Sequence, residues 1–95
     1  MKIRFVPQPA ELMKDDIAVH WLEPTGRDRY KLKPGNVWVR DDWWYDKTKR
    51  TRLIIHELTE LRLMLRGMPY TEAHKIASNK EHSIMREYGI IDTKY

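Results

Sequence analysis

His56, Glu57 and Glu60 stand within five residues of one another in the run "RLIIHELTELRLMLRG", Arg52 to Gly67. On a helix, His56 and Glu60 are i and i+4 and lie one above the other on the same side. A neutral imidazole and a carboxylate so placed can share one metal ion. Glu57 follows His56 directly and points to the side of that pair. There it can accept a proton from a water without itself ligating the ion. The rest of the run is strongly apolar. Placing carboxylates in an apolar helix is costly unless something offsets their charge.

Helix geometry sharpens the point. At about 100° per residue, Arg52, Thr59, Arg62 and Arg66 define a solvent face. Ile54, Leu58, Leu61 and Leu65 form an apolar stripe, the expected core face. The remaining arc interleaves His56, Glu57 and Glu60 with Leu53, Leu63 and Met64, away from the arginines.

A further ligand is expected from the following segment, "TEAHKIASNKEHSIMREYG". Gly67 is a plausible C′ glycine ending the first helix, Met68 and Pro69 fill a turn, and Thr71 is an N-cap for a second helix reaching about Tyr88, with Gly89 as its stop. So short a connection makes the helices antiparallel neighbours. Counting outward from Met68, the level of His56 and Glu60 falls between His74 and Glu81, which are seven apart and share one face. His74 is the first choice of third ligand. Glu81 is either a fourth ligand or a group that orients a ligand histidine. His82 lies at the edge of this face or in solvent. Ala73, Ile76, Ile84 and Tyr88 supply the apolar stripe.

The elements before the helices read as strands and turns. "KIRFV" is a strand ended by "PQP", "ELMKDD" a helical turn, "IAVHWLE" a strand, "PTGRD" a turn, "RYKLK" an alternating run, "PGN" a turn and "VWVRD" a strand with Val37 and Val39 on one face. The expected fold class is α+β: a small antiparallel sheet of about three strands over residues 1–46, then an antiparallel two-helix hairpin over residues 47–88, within one domain of 95 residues.

Composition narrows the classes of function. The net charge of +4 is mildly basic, so nucleic acid is permitted as a partner without being demanded. With no cysteine, disulfides, thiol catalysis and cysteine-ligated zinc are excluded. No apolar run approaches the ~20 residues of a membrane span, and "MKIRFVPQPAE" lacks the apolar core of a signal peptide. The expectation is a cytoplasmic protein.

The run "HELTE", following a strand and opening a helical hairpin, resembles the zincin active-site helix. The wider run "HELTELRLMLRGMPYTEAHKIASNKEH" resembles small uncharacterised prokaryotic and viral proteins with H-E-x-x-E and a downstream A-H-x-x-A. The resemblance covers about residues 36–85. It implies a zincin-like fold, His56 as a ligand, Glu57 as the general base, Glu60 in the second ligand's place, and a peptide or amide as substrate. Zn2+ is the implied cofactor. A set of His56, Glu60 and His74 is also the two-histidine, one-carboxylate arrangement that Fe2+ or Mn2+ accepts.

Each residue has a plainer reading. His56 can be a hydrogen-bonded core histidine, Glu57 and Glu60 can salt-bridge to lysines or arginines of the second helix, and His74 can be exposed in a first helical turn. His20, inside a strand pattern, reads as structural or surface. The chain would then be a non-catalytic binding module, with a structural metal or a buried polar site specifying a homodimer or a protein partner. An all-α nucleotide hydrolase using Glu57, Glu60 and Glu81 to hold Mg2+ is a further class, disfavoured by the histidines because Mg2+ prefers oxygen ligands. Finally, "DDWWYDKTKRTR" sets Trp43, Trp44 and Tyr45 beside Lys47, Lys49, Arg50 and Arg52, a composition that can stack bases and hold phosphates. Asp41, Asp42 and Asp46 would repel a nucleic-acid backbone, and Asp46 is placed to cap the helix that follows.

Overall fold

A computed structural model describes residues 2–87. It is α+β: a three-stranded mixed sheet with short helices, followed by two long packed helices. The chain divides into two compact units, Met1–Arg50 and Thr51–Tyr95.

In the first unit, β1 (Arg4–Gln8), α1 (Ala10–Met13), β2 (Ala18–His20), α2 (Pro24–Asp28), β3 (Asn36–Arg40) and α3 (Asp41–Trp44) follow in order. The sheet order is β1-β3-β2, so β3 is central. The alternation read in "VWVRD" is what a central strand needs: Val37 and Val39 are fully buried while Trp38, on the opposite face, meets the Tyr30 ring.

β2 pairs with β3 antiparallel, but β1 pairs with β3 parallel, so the wholly antiparallel sheet expected from the sequence is corrected. That expectation takes every connection for a short turn. "PTGRD" is instead a helix, α2, entered through Pro24 in its first turn. "RYKLK" forms no strand, since Lys31 takes a left-handed φ of 53° that interrupts an extended run. The chain between β1 and β3 is therefore long enough for the crossover that parallel neighbours require. β1 also runs through Pro7 rather than ending before it. As an edge strand it is hydrogen-bonded on one side only, where a missing N–H is tolerated.

Gly26 is required by close approach: a Cβ there would lie 1.9 Å from the His20 carbonyl oxygen. The buried apolar side chains of this unit are Met13, Val19, Trp21, Val37, Val39 and Trp43.

The helices are α4 (Lys47–Leu65) and α5 (Tyr70–Glu87). Asp46 caps α4 as expected, its Oδ1 accepting the Lys49 amide at 3.0 Å. At the other end, the Gly67 amide bonds the Met64 carbonyl at 2.9 Å and the Met68 amide bonds the Leu63 carbonyl at 3.1 Å. This is the paired pattern that closes a helix on a C′ glycine, and Gly67 takes the left-handed φ of 100° it needs. α5 starts two residues earlier than an N-cap at Thr71 predicts, at Tyr70, with the Pro69 carbonyl accepting the Ala73 amide at 3.0 Å. Tyr88 and Gly89, the expected end of α5, lie outside the described residues.

The burial of the two helices corrects the expected core. On α4 the buried residues are Arg52, Leu53, His56, Glu57, Glu60 and Leu61: Leu61 of the expected apolar stripe, Leu53 and the three polar residues of the mixed arc, and an arginine assigned from sequence to the solvent face. Ile54 and Leu58 of the apolar stripe are half-buried, and Leu65 is 51% exposed. On α5, Ala73, Ala77, Glu81 and Met85 are buried at steps of four, while Ile76 is 43% exposed. A helical wheel yields periodicity but not which arc turns inward. No described helix is long and apolar enough to cross a membrane.

Candidate metal centre

α4 and α5 are joined by side chains whose order fixes the hairpin as antiparallel. Glu60, nearer the turn, meets His74; Arg52, further away, meets Glu81; His56 lies between and faces both. The i, i+4 spacing places His56 and Glu60 on the face of α4 that looks toward α5. His74 comes from the first turns of α5, where its ring lies 4.8 Å from that of His56 and 5.5 Å from that of Tyr70, centroid to centroid.

Three potential ligand atoms converge. His56 Nε2 is 3.1 Å from Glu60 Oε2 and 3.2 Å from His74 Nδ1, and His74 Nδ1 is 2.8 Å from Glu60 Oε2. In a tetrahedral site with bonds of about 2.0–2.1 Å, ligand atoms stand about 3.3 Å apart. A shift of a few tenths of an ångström would therefore admit an ion. Zinc, iron(II) and manganese(II) all accept two imidazole nitrogens and one carboxylate oxygen. The side chains of His56 and Glu60 are essentially fully buried, whereas that of His74 is 44% exposed. The site is thus open to solvent on the His74 side.

The far edge of the His56 ring is held differently. Its Nδ1 lies 3.4 Å from Glu81 Oε1, a buried oxygen that accepts no hydrogen bond in the structure. The other oxygen of Glu81, Oε2, accepts from Arg52 Nε at 2.7 Å and from a terminal guanidinium nitrogen at 2.6 Å. Glu81 therefore sits at the ring nitrogen opposite the converging triad. If the single proton of a neutral His56 is on Nδ1, toward Glu81, the Nε2 lone pair points at two other electron-rich atoms. A cation would satisfy all three at once.

The buried ionisable groups of the hairpin include Arg52 against Glu57, Glu60 and Glu81. Those four carry a formal charge of −2, which one divalent ion would balance. The pKa of His56 is raised above the ordinary histidine value. Burial is the largest influence and opposes the charged form, but the hydrogen bonds and negative charges of Glu60 and Glu81 together outweigh it.

Glu57 is buried, with Oε2 3.9 Å from His56 Nε2, beside the triad and outside hydrogen-bond distance of that nitrogen. His82 is half-buried, and it is not one of the described residues whose ligand atoms converge with His56. His20 is fully buried. Its Nδ1 accepts the Leu22 and Glu23 amides at 3.2 and 3.3 Å, so its ring proton belongs on Nε2. Glu23 Oε1 accepts the His20 amide in return, at 2.8 Å.

The basic–aromatic segment is largely occupied with itself. Lys49 lies over the Trp43 ring, Arg50 over Trp44, and Trp44 stacks on Phe5. Tyr45 is 75% exposed.

Sequence reasoning missed Arg52. The available signal was Glu81: a carboxylate on the inward face of α5 calls for a cation, and Arg52 begins the same apolar run of α4.

Comparison with protein-family models, curated proteins and solved structures found no match.

Proposed function

We propose that the hairpin carries the metal site of a zincin-like hydrolase acting on a peptide or amide bond. The observation that supports this reading most is the convergence of His56 Nε2, Glu60 Oε2 and His74 Nδ1 within 3.2 Å of one another. These three residues would hold the ion, Zn2+ in the first instance and Fe2+ or Mn2+ as alternatives. When bound, the ion supplies Lewis acidity for hydrolysis of a carbonyl compound. Glu57 is the general base in this reading: it takes a proton from the attacking water and delivers it to the leaving amine. Three protein ligands, rather than four, leave room for substrate or water, and the exposed edge of His74 gives the direction of approach. Glu81 holds the His56 ring from behind rather than joining the ligand set.

The deciding experiment is elemental analysis of protein purified without an affinity tag and reloaded with Zn2+, Mn2+ or Fe2+ in turn. The expected result is near one ion per chain in the native protein, lost in His56→Ala and His74→Ala. Absence of metal under all three conditions overturns the reading. With metal established, Glu57→Gln is expected to keep the ion and lose hydrolysis of peptide substrates.

A second reading, a binding or dimerisation module in which the same cluster is structural, is favoured by one observation. Ile54, Ile55, Leu58 and Ile84 line a shallow groove of about 210 Å3 on the hairpin, flanked by Arg62 and Lys80. Metal retained by Glu57→Gln, with no hydrolysis in either protein and a dimer in sedimentation, selects it.

A further inference from the structure

We propose that Arg52 acts as a positioning residue for the metal site, working through Glu81 to set the tautomer and orientation of His56; this rests on the metal-site reading above. Arg52 places two nitrogens on one oxygen of Glu81, at 2.7 and 2.6 Å. That fixes the carboxylate and leaves its second oxygen 3.4 Å from His56 Nδ1, close enough for a small shift to close a hydrogen bond between them. All three side chains are buried, so neither the guanidinium nor the carboxylate can turn to water instead.

Two consequences follow for the site. A carboxylate at Nδ1 holds the ring proton there and presents the Nε2 lone pair to Glu60 and His74, the arrangement that strengthens a ligand histidine. A carboxylate anchored by Arg52 is also kept from swinging round to become a fourth ligand. The position then stays available to substrate, which distinguishes a catalytic from a closed structural site. Along α4, Arg52 stands one turn before His56 and Glu60 one turn after it, so the guanidinium and the triad lie on opposite sides of the imidazole. Glu81 is the group that links them.

The test measures Zn2+ affinity by chelator competition, and unfolding of the metal-free protein, in wild type, Arg52→Lys, Glu81→Gln and the double variant Arg52→Met/Glu81→Met. The double variant is used because an apolar pair is tolerated where one buried charge without its partner is not. If it does not fold, the isosteric Glu81→Gln, a weaker acceptor, carries the test. Zn2+ binding is expected to weaken about 10- to 100-fold in the double variant and about 10-fold in Glu81→Gln, with Arg52→Lys keeping most of it. Nitrogen-15 spectra of the Zn2+-loaded protein supply an independent signature. The Nδ1 proton of His56 exchanges slowly in wild type and rapidly in the double variant.

Wild-type affinity in a folded variant lacking the clamp, with the Nδ1 proton unchanged, overturns the role of Arg52 and leaves the metal site standing. Failure of wild type itself to bind Zn2+, Mn2+ or Fe2+ overturns the site and the inference together.

Discussion

The two units bury different kinds of side chain. In residues 2–50 the interior is made by Met13, Val19, Trp21, Val37, Val39 and Trp43, and the buried polar groups, His20 and Glu23, hydrogen-bond within one tight turn. In the helical hairpin, Leu53, Leu61, Ala73, Ala77 and Met85 share the interior with Arg52, His56, Glu57, Glu60 and Glu81. The first is an ordinary small core, stabilised by removing apolar surface from water. The second places charge where hydrocarbon would be cheaper, and it does so on facing sides of two helices. Buried charge of that kind adds little net stability. Its concentration around His56 is consistent with a metal site there.

The largest expected effects separate the two interiors. Arg52→Met leaves Glu81 buried without its guanidinium and is expected to cost about 3–5 kcal/mol, most of which returns in Arg52→Met/Glu81→Met. Urea unfolding of the metal-free variants checks this. Met13→Ala, in the first unit, is expected to cost about 2–5 kcal/mol, and no charge reversal elsewhere repairs it. All four tryptophans lie in the first unit, so their fluorescence follows it while helical circular dichroism is dominated by α4 and α5. A single cooperative domain gives coincident transitions by the two probes; separated transitions would divide the chain into independently folding parts.

Next in size is the ion itself. At a free concentration 100 times its dissociation constant, Zn2+ is expected to stabilise the fold by about 2.7 kcal/mol. The gain vanishes in His56→Ala and is untouched by Met13→Ala. A similar gain in His56→Ala would remove the triad from consideration.

Smaller effects come from the ends of elements. Asp46→Ala removes the cap of α4 and is expected to cost about 1 kcal/mol, read as a lower unfolding midpoint. The smallest is a pH effect in the first unit. The hydrogen bond from Arg40 holds the Asp42 carboxyl below the usual carboxylate range, with burial opposing and the Arg40 charge assisting. Because the folded pKa is the lower one, the stabilisation is present above the unfolded carboxylate value and is lost as pH falls through the folded one. The pair is half-exposed, so the contribution is below about 1 kcal/mol. Asp42→Asn should reduce that part of the acid dependence.

Much of the local structure was legible in the residues. Asp46 and Gly67 bracket the first long helix because a carboxylate can accept first-turn amides and glycine can take a left-handed φ at its end. Val37 and Val39 alternate with Asn36, Trp38 and Arg40 because strand side chains alternate faces. His56, Glu60 and His74 could be named together because i, i+4 spacing and a short turn restrict which side chains can meet. Glu81 could be named with them, as a fourth ligand or as a group that orients a ligand histidine, without deciding between the two.

Other features depended on contacts distant in sequence. The parallel pairing of β1 with β3 was hidden because strand direction depends on how far the chain travels between strands, and the residues of α2 have the composition of a turn. Which arc of α4 faces inward was hidden because periodicity is the same whichever arc is buried. Arg52 was hidden for the same reason: a lone arginine looks solvated until a carboxylate 29 positions away takes it inside. The sequence determined which residues could do chemistry and on which helices they lie. Only the tertiary structure decided which atoms converge and which carboxylate stands behind the histidine, because those outcomes depend on close packing between chain segments that no local spacing encodes.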